Sequence, residues 1–257
     1  MEDNKERQLL LARIDDLIRQ VERSCQCMAT SFLDPAEMAA AKKYVQYTAP
    51  VLPYVVSGGY PDAERTVLFL CPEWLEAETQ FQCQLPIAAL TVSWPSQFYT
   101  VRHRDLLGAI LGLGLERDQI GDILVTEGEA QVLVLAGIAP YIVSELRSAG
   151  RASVQVAPLA LDELVPPVRK VKEIRATVAS PRLDSVLAAA YGLSRSKAAP
   201  LITAERVQVN FEPVTNPALL LEPGAMLSVR GLGRARLVEF AGKTKKGRLI
   251  AILERFI

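Results

Sequence analysis

Histidine is nearly missing from this chain: His103 is the only one among 257 residues. No serine or cysteine stands out as its nucleophile, which argues against a catalytic triad, and one imidazole excludes a multi-histidine metal site. Cysteine is scarce too. Cys25, Cys27, Cys71 and Cys83 lack the paired spacing of a zinc site and are too few for a disulfide scaffold in a chain this size. Cys25 and Cys27 read as two unrelated helix residues, and the expected compartment is reducing. Long apolar runs are absent as well. The longest, Leu106–Leu115 and Val132–Val143, fall well short of the ~20 residues of a membrane span and read as core. The start, MEDNKERQLLLARIDD, alternates in charge and has no apolar run suited to a signal peptide.

Nucleotide fingerprints also fail. Gly242-Lys243-Thr244 resembles the end of a phosphate-binding loop, but the glycine needed five positions earlier is Leu237. Gly112-Leu113-Gly114 and Gly231-Leu232-Gly233 do not extend to a dinucleotide motif. Acidic pairs such as Asp15-Asp16 read as solvated helix faces. No internal repeat or low-complexity tract occurs. The expectation is a protein that is not an enzyme, with no cofactor, no metal and no small-molecule substrate.

Net charge is zero, and that average conceals a split. From Val168 to the end there are 16 Lys+Arg against 7 Asp+Glu, a balance of +9; the remaining 13 basic and 22 acidic residues give −9. A polyanion partner is therefore expected for the C-terminal third.

Three domains follow from the pattern: 1–60, 61–165 and 168–257, an α+β chain overall. Leu10, Ile14, Leu17, Ile18 and Val21 recur at helical spacing within Asp3–Arg23. Asp34-Pro35-Ala36-Glu37 is a capping box opening a helix to about Tyr47. Pro53 and Ser57-Gly58-Gly59-Tyr60-Pro61 read as loop, so the first domain is expected to be helical. From Pro61 the period changes. Thr66–Cys71 and Ile87–Trp94 read as strands, and His103–Gly112 as a helix. Ile123–Thr126 and Gln131–Leu135 form a hairpin through Glu127-Gly128-Glu129. A helix over 139–148 and a strand over 152–157 complete β-α-β-β-α-β, the ferredoxin-like plan. Val165-Pro166-Pro167-Val168 is a stiff boundary.

The basic third opens with a helix from Arg182-Leu183-Asp184, ended by Tyr191-Gly192-Leu193. Ser194 starts a second helix, Arg195–Thr203. Val207–Asn210 and Met226–Arg230 read as strands, followed by Arg236–Phe240 and Arg248–Leu253 around the basic turn Gly242–Arg248. Ser194, Arg195, Ser196 and Lys197 place free amides and two cations at one helix start, with Arg182 able to lie beside them. Taken alone, this is an ordinary helix start. With Arg182, the strand ending in Asn210 and the +9 balance, it fits a phosphate backbone better than a base edge. The candidate RNA-binding residues are Arg182, Ser194, Arg195, Ser196, Lys197, Asn210, Arg230 and Arg234. Arg102, His103, Arg104 and Arg117 flank the middle domain's helix. They fit a second RNA contact and an ordinary charged helix surface equally well.

Arg182-Leu183-Asp184, Ser194–Ala198, Val207–Asn210, Pro217, Gly224 and Arg230-Gly231 resemble the RNA-binding domain first described in small-subunit ribosomal protein four, here the S-four domain. Two positions depart from it: Glu205 stands where glycine is usual, at a turn that often needs positive φ, and Gly224-Ala225 replaces Gly-Asp. Phe32–Pro35, Gly58–Arg65, His103–Ala109 and Leu113–Asp122 resemble the YlmH family. That resemblance implies a helical N-terminal part, a ferredoxin-like middle domain considered RNA-binding and a C-terminal S-four domain. It implies partners too: rRNA and tRNA on the ribosome, on the large subunit, during rescue of stalled nascent chains. Bacterial members are linked to cell division, and the cyanobacterial and plastid branch is labelled a photosystem II S-four-domain protein. The location implied is cytoplasmic, or chloroplast stroma for a processed plastid protein. Two other readings stay open: an RNA-modifying enzyme that uses the module for targeting, and a photosystem assembly factor that acts through protein partners.

Overall fold

The computed structural model describes residues 2–166, 171–244 and 247–256, with the side chains of residues 2–4 left aside. Two compact units result, Met1–Pro167 and Val168–Ile257.

The first unit begins with α1 (Glu2–Ser24), whose apolar stripe of Ile14, Ile18 and Val21 is buried. It packs against Met38, Ala41 and Val45 of α2 (Pro35–Thr48). Asp34 accepts from the amides of Ala36 (2.8 Å) and Glu37 (2.9 Å), and Glu37 accepts from the amide of Asp34 (2.7 Å). This is the expected capping box.

The first 60 residues are not purely helical. The short strands β1 (Met28–Ala29) and β2 (Tyr54–Ser57) flank β3 (Val67–Leu70) in an antiparallel sheet of order β1-β3-β2. The strand Thr66–Cys71, read from sequence as the first of the middle domain, therefore belongs to the N-terminal sheet. Its residues are buried on both faces, so its apolar run carries no alternation to show which sheet it joins. The β1–β3 register, Met28 opposite Leu70, brings Cys27 to Cys71 with Cα atoms 4.2 Å apart, and the two form a disulfide. The cysteine count did not point to this bond; sheet pairing makes it. Cys25 and Cys83 are free and exposed.

After α3 (Ala77–Gln84) come β4 (Ile87–Ser93), α4 (His103–Leu111), β5 (Ile120–Val125), β6 (Glu129–Leu135) and α5 (Ala139–Glu145). A small hairpin, β7 (Ser148–Ala149) and β8 (Ala152–Ser153), precedes β9 (Gln155–Leu159). The sheet order β5-β6-β4-β9, antiparallel throughout, is the split βαβ arrangement expected. Its fourth strand is β9, slightly later than the expected 152–157. One face, with Leu90, Val92, Val132 and Val134, packs on Leu106 and Ile110 of α4 and on Ile142 of α5. The opposite face, with Ile87, Leu124 and Leu133, packs on Phe32, Phe69 and Phe81. Both sides of this sheet are thus covered within the unit.

In the second unit, β10 (Val171–Val178) leads to α6 (Leu183–Tyr191) and α7 (Arg195–Thr203). Then come β11 (Val207–Val209), β12 (Glu212–Pro213), β13 (Met226–Val229), β14 (Gly233–Lys243) and β15 (Leu249–Phe256). They form one antiparallel sheet of order β10-β15-β14-β13-β11-β12. Leu183, Val186, Leu187, Ala198 and Ile202 of the helices share a core with Leu227, Ala235, Leu237, Ala251 and Leu253 of the sheet. Gly192 closes α6 at φ +64°. Pro167 and Val168 of the expected linker, and Lys245 and Lys246 of the basic turn, lie outside the described residues.

Candidate nucleic-acid interface

The first amides of α6 are already occupied. Those of Leu183 and Asp184 donate to the carbonyls of Leu219 (2.8 Å) and Pro217 (3.1 Å), on the loop before β13. This fixes the start of α6 and leaves Asp184 buried, 5% exposed. A buried carboxylate needs partners. Asp184 accepts from Arg182 Nε (3.2 Å) and Nη2 (3.3 Å), and from Arg195 Nη2 (2.6 Å). Ser185 Oγ adds a bond at 3.3 Å. Burial alone would push the Asp184 carboxyl up. The hydrogen bonds and charges of Arg182 and Arg195 outweigh that and hold it below the ordinary carboxylate range.

Arg182 and Arg195, 13 positions apart in the chain, are thereby aimed from one pivot. Two guanidiniums against one carboxylate leave a net positive charge at the surface, where both keep exposed area (39% and 52%). Ser196 and Lys197 are exposed on the first turn of α7 beside them. Lys197 has no side-chain partner among the described residues. Ser194 is the N-cap of α7, but its hydroxyl bonds Ser196 Oγ (2.8 Å) rather than a backbone amide. The amides of Arg195 and Ser196 have no acceptor among the described residues, and both residues are exposed. Two guanidiniums, an ammonium, two hydroxyls and free amides make a surface suited to phosphate oxygens.

The expected glycine turn keeps its geometry with Glu205 in place. Glu205 has φ +56°, its amide donates to Ile202 O (3.1 Å), and the amide of Arg206 donates to Leu201 O (3.1 Å). That is a Schellman ending for α7, carried by a side chain that is strained there.

The other candidates do not all converge on this spot. Asn210, at φ +50°, is built into the sheet: its Oδ1 accepts from the amide of Met226 (2.9 Å), and its own amide donates to Met226 O (2.8 Å). Arg230 is exposed at the end of β13, where Arg206 Nη2 donates to its carbonyl (3.2 Å). Arg234 alternates with the core residue Ala235 on β14, so it lies on the sheet face away from the helices, over the ring of Phe211 (5.9 Å). In the middle domain, Arg102 and His103 are exposed at the start of α4, and Arg104 pairs loosely with Asp105 (3.9 Å). Arg117 is committed to the backbone: Nη1 donates to Ile120 O and to Gly121 O (3.4 Å). Burial, followed by the nearby Arg65, lowers its pKa. Its Nη1 thus serves the backbone of β5, unlike the exposed Arg102 and His103.

Sequence reasoning missed two residues. Asp184 stands in the Arg182-Leu183-Asp184 motif, but its role depends on an arginine 11 positions away. Arg206, which packs on the Arg230–Gly231 turn, carries no motif signal in the sequence.

Comparison with known proteins fits this architecture. Residues 6–74 match the model described as "YlmH, N-terminal", 78–163 the "Putative RNA-binding domain in YlmH", and 181–227 the "S4 domain". The "Ribosome-associated protein quality control protein P2" of Bacillus subtilis is 35% identical over 237 residues, covering 92% of this chain and 90% of that one. The chain belongs to the YlmH family. A solved structure, the "Cell division protein ylmH from Streptococcus pneumoniae", shares the fold at TM-score 0.52 and 24% identity, over 62% of this chain and 93% of that one. The S4 match ends at residue 227, so β14 and β15 extend the six-stranded sheet beyond the matched module.

The family motifs also gain a physical meaning. Asp122 accepts from Tyr60 Oη (2.6 Å) and from the amides of Glu64 (2.6 Å) and Arg65 (3.0 Å). It pins the Gly58–Arg65 loop to β5. A Cβ on Gly121 would stand 2.7 Å from the Phe32 ring. These contacts hold the two halves of the first unit together.

Proposed function

We propose that this chain is a non-enzymatic, ribosome-associated RNA-binding protein of the cytoplasm. Its α6–α7 edge grips the phosphate backbone of rRNA or tRNA on the large subunit while stalled nascent chains are handled. The observation that carries this reading is the Asp184 pivot, which presents Arg182 and Arg195 together beside Lys197. The +9 balance of Val168–Ile257 supports it. So does the name of the Bacillus subtilis relative, a ribosome-associated quality control protein.

The test is co-sedimentation with purified ribosomal subunits over a salt series. Replacing Arg182, Arg195 and Lys197 with alanine should weaken binding and shallow the log–log salt slope by about 0.7–0.9 per lost phosphate contact. An unchanged slope would remove these residues from the interface. Incubation with rRNA should yield no new modified nucleoside; the appearance of one would favour the modifying-enzyme reading.

A further inference from the structure

RNA-recognition domains of ferredoxin-like plan stack bases on an open sheet face bearing aromatics. That route is closed here. The face opposite α4 and α5 is buried: Ile87, Leu124 and Leu133 lie against Phe32, Phe69 and Phe81, with Leu161 and Leu164 packed on the same cluster. Gln131, on this face, accepts from the amide of Val165 (2.9 Å), so the polar position there is satisfied as well. A nucleic acid meeting this domain does not do so on that sheet face.

The domain's cations gather on its helix side. Residues 78–163 contain ten Asp+Glu and only five basic residues: Arg102, Arg104, Arg117, Arg147 and Arg151. Arg117 is spent on backbone carbonyls. The other four come from two segments more than 40 residues apart, and one from each segment lines a groove of about 500 Å³ beside α4. Arg104 and Arg147 line it; Arg102 precedes α4, and Arg151 follows the Gly150 lining residue on the β7–β8 turn. Arg102, Arg147 and Arg151 are exposed and have no side-chain ion pair among the described residues. The groove's acids are Asp105 and Glu145. Asp105 is engaged by the Arg102 amide (3.0 Å) and by Arg104 (3.9 Å). In the lining itself Arg104 and Arg147 offset Asp105 and Glu145; the positive surplus comes from exposed Arg102 and Arg151, which flank the lining residues in the chain.

The groove wall is smooth as well as basic. Gly108, Ala109 and Gly112 line it along α4, and a Cβ on Gly108 would meet nothing within 4 Å. A bulky backbone can lie close to such a wall, and none of the lining residues is aromatic.

We propose that this groove is the middle domain's RNA contact and that it takes a ribose–phosphate backbone. The assignment rests on the reading that the chain binds ribosomal RNA, and it adds a second site on a different unit from the α6–α7 edge.

The test uses the full chain, purified ribosomes as probe, and three variants: R104A/R147A/R151A, G108W, and R182A/R195A/K197A. All substitutions fall on exposed or half-exposed positions, and circular dichroism checks the fold. The groove triple should shallow the salt slope by about 2 units, from three contacts at ~0.7 each. That effect should add to the effect of the α6–α7 triple. G108W removes no charge but fills the groove, and should weaken binding at least fivefold. Parent-like binding by both groove variants would overturn the proposal. So would groove-dependent retention that survives ribonuclease digestion of the probe, since the patch would then take a protein. If only the α6–α7 triple is silent, that site falls and the groove stands; if only the groove variants are silent, the reverse holds.

Discussion

Asp184 separates two accounts of the α6–α7 edge. If affinity came from charge alone, Asp184→Asn would raise the local charge by one and tighten RNA binding. If Asp184 positions Arg182 and Arg195, the same change frees two long side chains and weakens binding by several-fold, despite the extra positive charge. Weaker ribosome binding by D184N at fixed salt is the expected outcome; tighter binding would show that the pivot does not matter. The stability cost should be only about 1 kcal/mol, because both guanidiniums are more than a third exposed. The carboxyl is depressed in the folded state. Its contribution is therefore present above its unfolded pKa of about 3.9 and is lost as pH falls through the lower folded value. D184N should flatten that acid limb in a pH series of denaturant unfolding. Tyr191 has the opposite sign. Burial raises its pKa to about 12, and Arg255, over its ring at 5.1 Å, pulls it only partly back. Its contribution is full below pH ~10 and fades as pH rises toward 12. Tyr191→Phe, which loses the bond to Gly233 O (2.8 Å), should cost about 1 kcal/mol.

At the scale of elements, the ending of α7 and the β1–β3 ladder each carry a testable feature. Glu205 sits at φ +56° in a Schellman turn where glycine is free of Cβ strain. Glu205→Gly should stabilise the second unit by about 1 kcal/mol, read as a higher midpoint in denaturant; a lower midpoint would mean that the glutamate makes a compensating contact. The Cys27–Cys71 bond spans 44 residues, for which the chain-entropy relation gives about 4 kcal/mol. Reduction should lower the unfolding midpoint of the first unit and leave the second unchanged. Local chemistry made many elements legible in advance: the Asp34 capping box, the Gly192 stop and the βαββαβ order all follow from residues close in sequence. What escaped was set at a distance. β10 reads poorly because Lys172, Glu173 and Arg175 fill an exposed edge strand, so no apolar run marks it. β1 is two residues long and exists only by pairing with β3. The pairing of Asp184 with Arg195, and of Arg117 with the carbonyls of β5, arises from tertiary packing. Sequence spacing could bring Arg182 near α7, but it could not show that one buried carboxylate holds both arginines.

Across the whole molecule, charge is divided along the same line as the fold: Met1–Pro167 carries −9 and Val168–Ile257 carries +9. The second unit has its own core, drawn from both helices and the sheet, so it should fold when expressed alone. A polyanion approaching the intact chain meets attraction from one unit and repulsion from the other. Near 0.01 M salt the Debye length is about 30 Å, and charges well beyond the contact act on the ligand; near 0.15 M it is about 8 Å, and only groups at the contact matter. Removing the acidic unit should therefore strengthen binding to a non-cognate strand such as polyuridine at low salt, and the advantage should vanish toward physiological salt. Ribosomes should behave differently, because the arginine groove beside α4 goes with the deleted unit. For them the isolated second unit should bind more weakly than the full chain at physiological salt. The acidic unit then raises selectivity, lowering affinity for stray RNA by repulsion and restoring it at the ribosome by a local contact. Parallel salt titrations of both proteins on both ligands measure this. A full chain that binds polyuridine as tightly as its C-terminal unit at low salt would refute it.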